Sequence, residues 1–221
     1  MSTDGSGNNT LNANTIKDGS ATKTLATLSS SAVTLHSDVT AQAGSGFLNK
    51  ISNSSSSSAT TSVAFDNTKV TTSYKFYQII IDHIIPTTDA RHLYLGLSYD
   101  NGSNFFSGIY CRADYRQINT TSGGVGQEGP QNVDYYQIAT SLGNDANKGL
   151  SAKVNILGTQ CTDSAQFRIL SEAVGKHDSE IYCWQFGAIG EKSSNTANYF
   201  KIYYSSSSTI AEHDITLYGV S

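Results

Sequence analysis

The sequence predicts an all-β protein, a jelly-roll-like antiparallel β-sandwich preceded by an extended N-terminal arm with a small hairpin. Residues 91–99 alternate between apolar and polar side chains with the period of two that a half-buried strand requires. The chain also has 19 Gly and 13 Tyr but only 2 Pro, which is typical of many short strands joined by tight turns. No segment shows the periodicity of an amphipathic helix of three turns.

The arm is predicted to cover residues 1–45, and the sandwich residues 46–221. Residues 15–28 form a hairpin in this prediction, with its turn at residues 18–20, and the alternation continues to about Thr40. The apolar residues of the arm are too few to build a core, and such a strand-forming segment is suited to pairing with another chain or another copy. The attachment candidates are Ile16, Leu25, Leu28, Val33 and Leu35.

The middle of the chain predicts a hairpin between residues 91–99 and 109–116. A three-residue loop, Asp100-Asn101-Gly102, would set Leu97 opposite Phe105 and place the leucines and Ile109 on one face. Gly102 would adopt the left-handed conformation of a bulge, which Gly tolerates. The pattern therefore favours an antiparallel sheet as the core.

Charge and composition exclude several classes of partner. Only 14% of residues are charged, and the formal net charge is -4, which argues against binding to nucleic acid or to an anionic membrane. The N-terminus lacks the charged start and apolar core of a signal peptide, and the best apolar run, residues 79–85, is too short to span a bilayer. We therefore expect synthesis in the cytoplasm, no secretion and no membrane insertion.

No catalytic or metal-binding motif emerges from the sequence, so we expect neither an enzyme nor a cofactor. The 3 cysteines have the spacing of neither a zinc site nor a disulfide framework. His83 and His92 flank a turn with Asp82 and Asp89, and we interpret this group as a solvated turn rather than a metal site.

Aromatic and amide side chains suggest one binding site. Sugar sites use aromatic faces against apolar sugar faces, with amides and carboxylates for the hydroxyl groups. Such groups stand together at the end of the segment 116–132, which is predicted to be a long exposed loop. The glycan-binding candidates are Asn132, Asp134, Tyr135 and Tyr136; the alternative for the two tyrosines is ordinary strand packing.

Three segments resemble proteins of tailed bacteriophages. IIPTTDARHLYLGLSYDNGSNFFSGIY looks like a strand-turn-strand unit of fibre and other virion proteins, especially those of marine phages. Such proteins often end on a strand like HDITLYGVS and begin with a segment like TIKDGSATKTLATLSSSAVTLHSDVT. The resemblance implies a structural part of a virion, with tail, collar or capsid proteins as partners.

Two functions fit this resemblance. The first is a fibre or receptor-binding subunit, anchored by its arm, whose sandwich is directed toward a host-surface glycan. The second is a capsid decoration or a collar or tail adaptor with no ligand outside the particle. Fibre proteins are commonly three-fold, which implies a homotrimer. Interfaces favour tyrosine, and the residues proposed for the contact are Tyr199, Phe200, Tyr203, Tyr204 and Tyr218.

Overall fold

A computed structural model describes most of the chain beyond residue 47. It covers residues 48–118, 125–128, 132–146, 149–159, 167–177, 180–190 and 195–220, and five short strands before them. For these five strands, for 110–118 and 125–128, and for residues 177, 180, 182–186 and 189 it describes the backbone alone. The described residues form strands and turns without a helix, as the sequence predicts.

The chain divides into two units, Met1–Gly44 and Ser45–Ser221. The strands of the first unit are β1 (Ser2–Thr3), β2 (Asn9–Thr10), β3 (Thr15–Lys17), β4 (Thr24–Leu28) and β5 (Val33–Leu35). β3 and β4 pair antiparallel, which confirms a hairpin in this segment, and β5 pairs with the other edge of β4. The predicted turn at residues 18–20 lies outside the described residues.

Eight strands of the second unit form an antiparallel sheet, and four form another. The larger sheet has the order β11-β10-β15-β14-β13-β8-β17-β6, and the smaller has the order β12-β9-β16-β7. The strands of the larger sheet are β6 (Leu48–Ser56), β8 (Phe76–Pro86), β10 (Ile109–Ile118), β11 (Val125–Glu128), β13 (Leu150–Leu157), β14 (Phe167–His177), β15 (Glu180–Gly190) and β17 (Ile210–Val220). Those of the smaller sheet are β7 (Val63–Phe65), β9 (Arg91–Ser98), β12 (Tyr136–Leu142) and β16 (Tyr199–Tyr204).

The two sheets enclose one hydrophobic core, so this unit is a β-sandwich. The rings of Tyr77 on β8 and Phe200 on β16 meet edge to face, with centroids 5.2 Å apart. The hydroxyls of Tyr136 on β12 and Ser171 on β14 are hydrogen-bonded at 2.8 Å. Both contacts join one sheet to the other through fully or nearly fully buried side chains. The finer prediction of jelly-roll connectivity stays a prediction.

The predicted central hairpin is wrong both in its register, which was expected to set Leu97 opposite Phe105, and in its extent. Ser98 bridges Phe105, and the Phe106 amide donates to the Leu97 carbonyl at 2.9 Å. The chain then crosses to the other sheet, so that β9 pairs with β12 and β16 while β10 pairs with β11 and β15. Leu97 and Ile109 do share the core, but they reach it from opposite sheets, an arrangement that alternation alone does not distinguish from a hairpin.

Two further expectations are corrected. The segment predicted as a long loop, residues 116–132, contains β11, which pairs with β10. The late aromatic residues do not form one surface patch, because Phe200 and Tyr204 are buried between the sheets. Tyr218 lies on β17 of the larger sheet, whereas Tyr199 and Tyr203 lie on β16 of the smaller one.

Candidate functional site: a tyrosine cleft

A polar cleft lined with tyrosines lies on the outer face of the smaller sheet. We call it the tyrosine cleft. Its volume is about 500 Å³, and its main lining residues are Tyr94, Asp134, Tyr135, Lys201 and Tyr203 and the turn Ser205–Ser208. The alternating side chains of β9 and β16 create the cleft. The leucines of β9 and Phe200 and Ile202 of β16 point into the core, so the residues between them point outward.

Strand register brings the three rings of the cleft together. Tyr94 and Tyr203 are direct partners in the β9–β16 pairing, and their rings meet edge to face at 5.7 Å. Tyr135 lies two residues before Gln137, which is the residue opposite Tyr94, so both rings lie on the same side of the sheet. They stack at 4.0 Å, with an angle of 25° between their planes.

The hydroxyls of Tyr94 and Tyr203 stay protonated at neutral pH. Burial, followed by the neighbouring Tyr135, raises the pKa of Tyr94 well above its usual range. Burial and the negative charge of Asp134 raise the pKa of Tyr203 to about 12. Both hydroxyls can therefore donate as well as accept hydrogen bonds, as recognition of a sugar hydroxyl requires.

One cation lies beside the rings. The Lys201 ammonium is 5.2 Å from the centroid of Tyr203 and 5.9 Å from that of Phe105. Within the described part of the chain, this ammonium has no carboxylate within ion-pair distance. The cleft thus offers aromatic faces, a cation and, on Asp134, an exposed carboxylate.

A turn of four serines closes one side of the cleft. The Ser208 amide donates to the Ser205 carbonyl at 3.2 Å, and the two central residues, Ser206 and Ser207, have φ values of 54° and 58°. Non-glycine residues adopt this left-handed conformation at a cost of about 1 kcal/mol or more each. The turn is held on β9, because the His92 amide donates to the Ser205 hydroxyl at 3.1 Å. Serine side chains are therefore fixed at the cleft edge despite an unfavourable backbone.

Of the sequence-predicted glycan residues, two line the cleft, one is exposed outside its lining and one is buried in the core. Asp134 and Tyr135 line the cleft. Asn132 is exposed three residues before Tyr135 and has a φ of 57°. Tyr136 is fully buried, with its hydroxyl bonded to Ser171; the prediction that it contacts a surface ligand is wrong, because neighbouring residues of a strand point to opposite faces.

Tyr94, Lys201 and Tyr203 line the cleft but were not predicted from the sequence as site residues. Tyr94 stands on the polar side of the alternating segment 91–99, and an aromatic ring on that side was the available signal. Nothing in the local sequence connects it to β16, because the pairing of two strands distant in sequence brings Tyr203 beside it.

The attachment candidates lie on paired strands of the first unit. Ile16 is on β3 opposite Ala26, Leu25 and Leu28 are on β4, and Val33 and Leu35 are on β5. The side chains of these residues lie outside the described part of the structure, and their role in attachment stays a prediction.

A second cleft, of about 620 Å³, lies on the larger sheet and contains Asp82, His83, Glu212, His213 and Asp214. The four residues 82, 83, 89 and 92 do not assemble, because His83 is on β8 of the larger sheet and His92 is on β9 of the smaller one. Among the residues whose side chains are described, no group of three His, Cys, Asp or Glu could hold a metal ion.

Within the residues that the structure describes, no helix is long and apolar enough to cross a membrane. No protein-family model, curated protein or solved structure matches this chain.

Proposed function

We propose that the chain is a structural protein of a bacteriophage virion, a fibre or receptor-binding subunit whose sandwich binds a host-surface glycan through the tyrosine cleft. The resemblance of three segments to phage proteins supports the virion assignment. The observation that carries the binding assignment is the stack of Tyr135 on Tyr94 beside Tyr203, with Lys201 and Asp134 at the same cleft. Half-buried rings with adjacent polar groups are what sugar recognition uses.

The cleft supports binding without hydrolysis. Glycoside hydrolysis commonly needs a pair of carboxyl groups placed on either side of the scissile bond. Asp134 is the only carboxylate among the described residues that line the cleft. The proposed subunit therefore holds its glycan and leaves it intact.

A glycan array carrying bacterial O-antigens and capsular polysaccharides tests the binding assignment. We expect the full-length protein to bind at least one of these polysaccharides, and Tyr203→Ala and Tyr135→Ala to weaken that binding about tenfold, because each removes a ring of the cleft. Tyr218→Ala is the matched control, since Tyr218 is also half-buried but lies on β17 of the other sheet.

Two results would count against the assignment. Equal loss in all three tyrosine variants would contradict a role for the cleft. Absence of binding to every polysaccharide, with the protein located on the capsid or the collar of the particle, would favour the alternative, a capsid decoration or a collar or tail adaptor.

The arm is proposed to join the sandwich to a tail, collar or capsid protein. We expect deletion of residues 1–45 to leave a sandwich that melts cooperatively, because residues 45–221 form a unit with its own core. The truncated protein should not join the particle. Loss of cooperative melting would contradict the independence of the sandwich, and normal incorporation into particles would contradict the role of the arm.

Assembly as a homotrimer is part of the proposal, with its contact on the larger sheet. Leu170 and Val174 on β14 are 52% and 47% exposed, and Ile181 on the adjacent β15 is 37% exposed. These apolar side chains share the outer face, and exposed apolar patches mark association sites. Light scattering of the full-length protein should give a trimer mass that Leu170→Lys reduces and Glu172→Gln, on the same face, does not. A monomer mass for the unmodified protein would refute assembly.

A further inference from the structure

We infer that the tyrosine cleft is one end of a longer binding platform, and that its ligand is an internal stretch of a linear polysaccharide several sugars long. This inference rests on the proposed glycan binding and specifies its ligand class. The platform consists of the outward side chains of β16, namely Tyr199, Lys201 and Tyr203, together with Tyr94 and Phe105.

The outward residues of β16 form a row along the strand. Tyr199, Lys201 and Tyr203 are each two residues apart, and all three are half-buried. Alternate residues of a strand repeat at about 6.6 Å, so the row extends about 13 Å from Tyr203 to Tyr199. This distance exceeds the length of a single sugar ring, so one sugar in the cleft would leave the far end of the row uncovered.

Aromatic rings continue beyond the cleft along this row. The Lys201 ammonium lies 5.2 Å from the Tyr203 centroid on one side and 5.9 Å from the Phe105 centroid on the other. Phe105 in turn meets Tyr199 edge to face at 6.3 Å. The platform therefore presents a ring pair at each end, Tyr94–Tyr203 and Phe105–Tyr199, with a cation between them.

Two glycines allow the aromatic rings at the far end of the platform to pack directly against the backbone. A Cβ atom on Gly96 would lie 2.8 Å from Phe105 Cδ1, and one on Gly102 would lie 2.9 Å from Tyr199 Cζ. Both rings therefore rest directly on backbone. Both rings are half-buried, so part of each stays accessible, as stacking against a sugar requires.

The far end also has hydrogen-bonding groups. The backbone amide of Asn101 donates to the Asn198 side-chain oxygen at 3.0 Å. The backbone amide of Asn67 donates to the Asn101 side-chain oxygen at 3.1 Å. The side-chain amide nitrogens of Asn101 and Asn198 make no hydrogen bond to any described residue. Asn198 precedes Tyr199 in the chain, and Asn101 precedes Gly102, against which the Tyr199 ring packs. These two amide groups are therefore the hydrogen-bonding groups proposed for the far end.

A size ladder tests the inference. The probe is the series from mono- to hexasaccharide cut from the array polysaccharide that binds most tightly, and the measurement is calorimetry with the full-length protein. We expect affinity to rise at least tenfold between disaccharide and hexasaccharide. Tyr199→Ala and Phe105→Ala should weaken hexasaccharide binding about three- to tenfold, the effect of one stacked ring, and leave disaccharide binding unchanged.

The outcomes separate this inference from the proposed function. If the disaccharide binds as tightly as the hexasaccharide and Tyr203→Ala still weakens binding about tenfold, the cleft stands and the platform is refuted. Equal weakening of both ligands by Phe105→Ala and Tyr199→Ala also overturns the platform, since these residues would then act through the fold. Absence of binding by every polysaccharide and ladder member overturns both. Tyr218→Ala should change neither affinity.

Discussion

Replacement of Gly96 by alanine tests how closely Phe105 rests on the sheet. The added methyl group would lie 2.8 Å from Cδ1 and 2.9 Å from Cε1 of the ring, which is about 0.7 Å short of normal carbon contact. Phe105 has to move, because Gly96 is part of β9 and is paired with Lys201 on β16.

The expected loss of stability follows from two opposing terms. Inserting a methyl group into a packed contact costs about 1–3 kcal/mol, while the lower conformational entropy of the unfolded chain offsets about 0.4–1 kcal/mol of that loss. The net destabilisation is therefore about 1–2 kcal/mol. For a unit of this size it lowers the melting temperature by roughly 2–8 °C.

A double-mutant cycle identifies Phe105 as the cause. In a Phe105→Ala background the methyl group has space, so Gly96→Ala should be neutral or slightly stabilising when melting is followed by calorimetry. The same fall in melting temperature in both backgrounds would rule out Phe105 as the cause, since the strain would then lie in the backbone of β9. Unchanged stability of Gly96→Ala alone would refute the ring position itself.

Two further predictions concern buried polar groups. Tyr136→Phe should lower the free energy of unfolding by about 1–2 kcal/mol, because it leaves the buried Ser171 hydroxyl without its partner; adding Ser171→Ala should recover most of the loss in urea titrations, and failure to recover it would contradict this account. Burial lowers the pKa of His213 below its ordinary 6.5, so the unfolded chain binds the proton more readily and stability falls as pH drops below that value. The melting temperature should therefore fall less between about pH 7 and pH 5 in His213→Gln than in the unmodified protein or the His83→Gln control; an unchanged slope would contradict the prediction.

The sequence predicts which face of a strand is buried, but it does not predict which strands are hydrogen-bonded neighbours. Alternation correctly assigned Leu93, Leu95 and Leu97 to the core, since the period of two is a local property of the backbone. Strand neighbours depend on which apolar faces meet across the core. The two segments joined by residues 99–108 satisfy the same pattern whether they pair as a hairpin or lie in opposite sheets, and the structure has the second arrangement.

For the same reason, only some of the residues that line the tyrosine cleft could be predicted from the sequence. Asp134 and Tyr135 were found because they are adjacent in sequence and offer a carboxylate and a ring together. Tyr94 and Tyr203 become a pair only through the register of β9 and β16. Tyr136 was misassigned because it was grouped with its neighbour Tyr135, although it is the first residue of β12 and points to the opposite face, into the core.

The position of β17 determines how late in synthesis the larger sheet can be completed. β17 lies inside the larger sheet, hydrogen-bonded to β8 on one side and β6 on the other. Both of those strands are made early, and neither acquires this neighbour until residues 210–220 have left the ribosome. Until then the open edge of β8, rich in isoleucine, can pair with any extended chain nearby. Slower translation should therefore prolong the exposure of the β8 edge. Nascent chains on the same polysome would then be the first to associate through it.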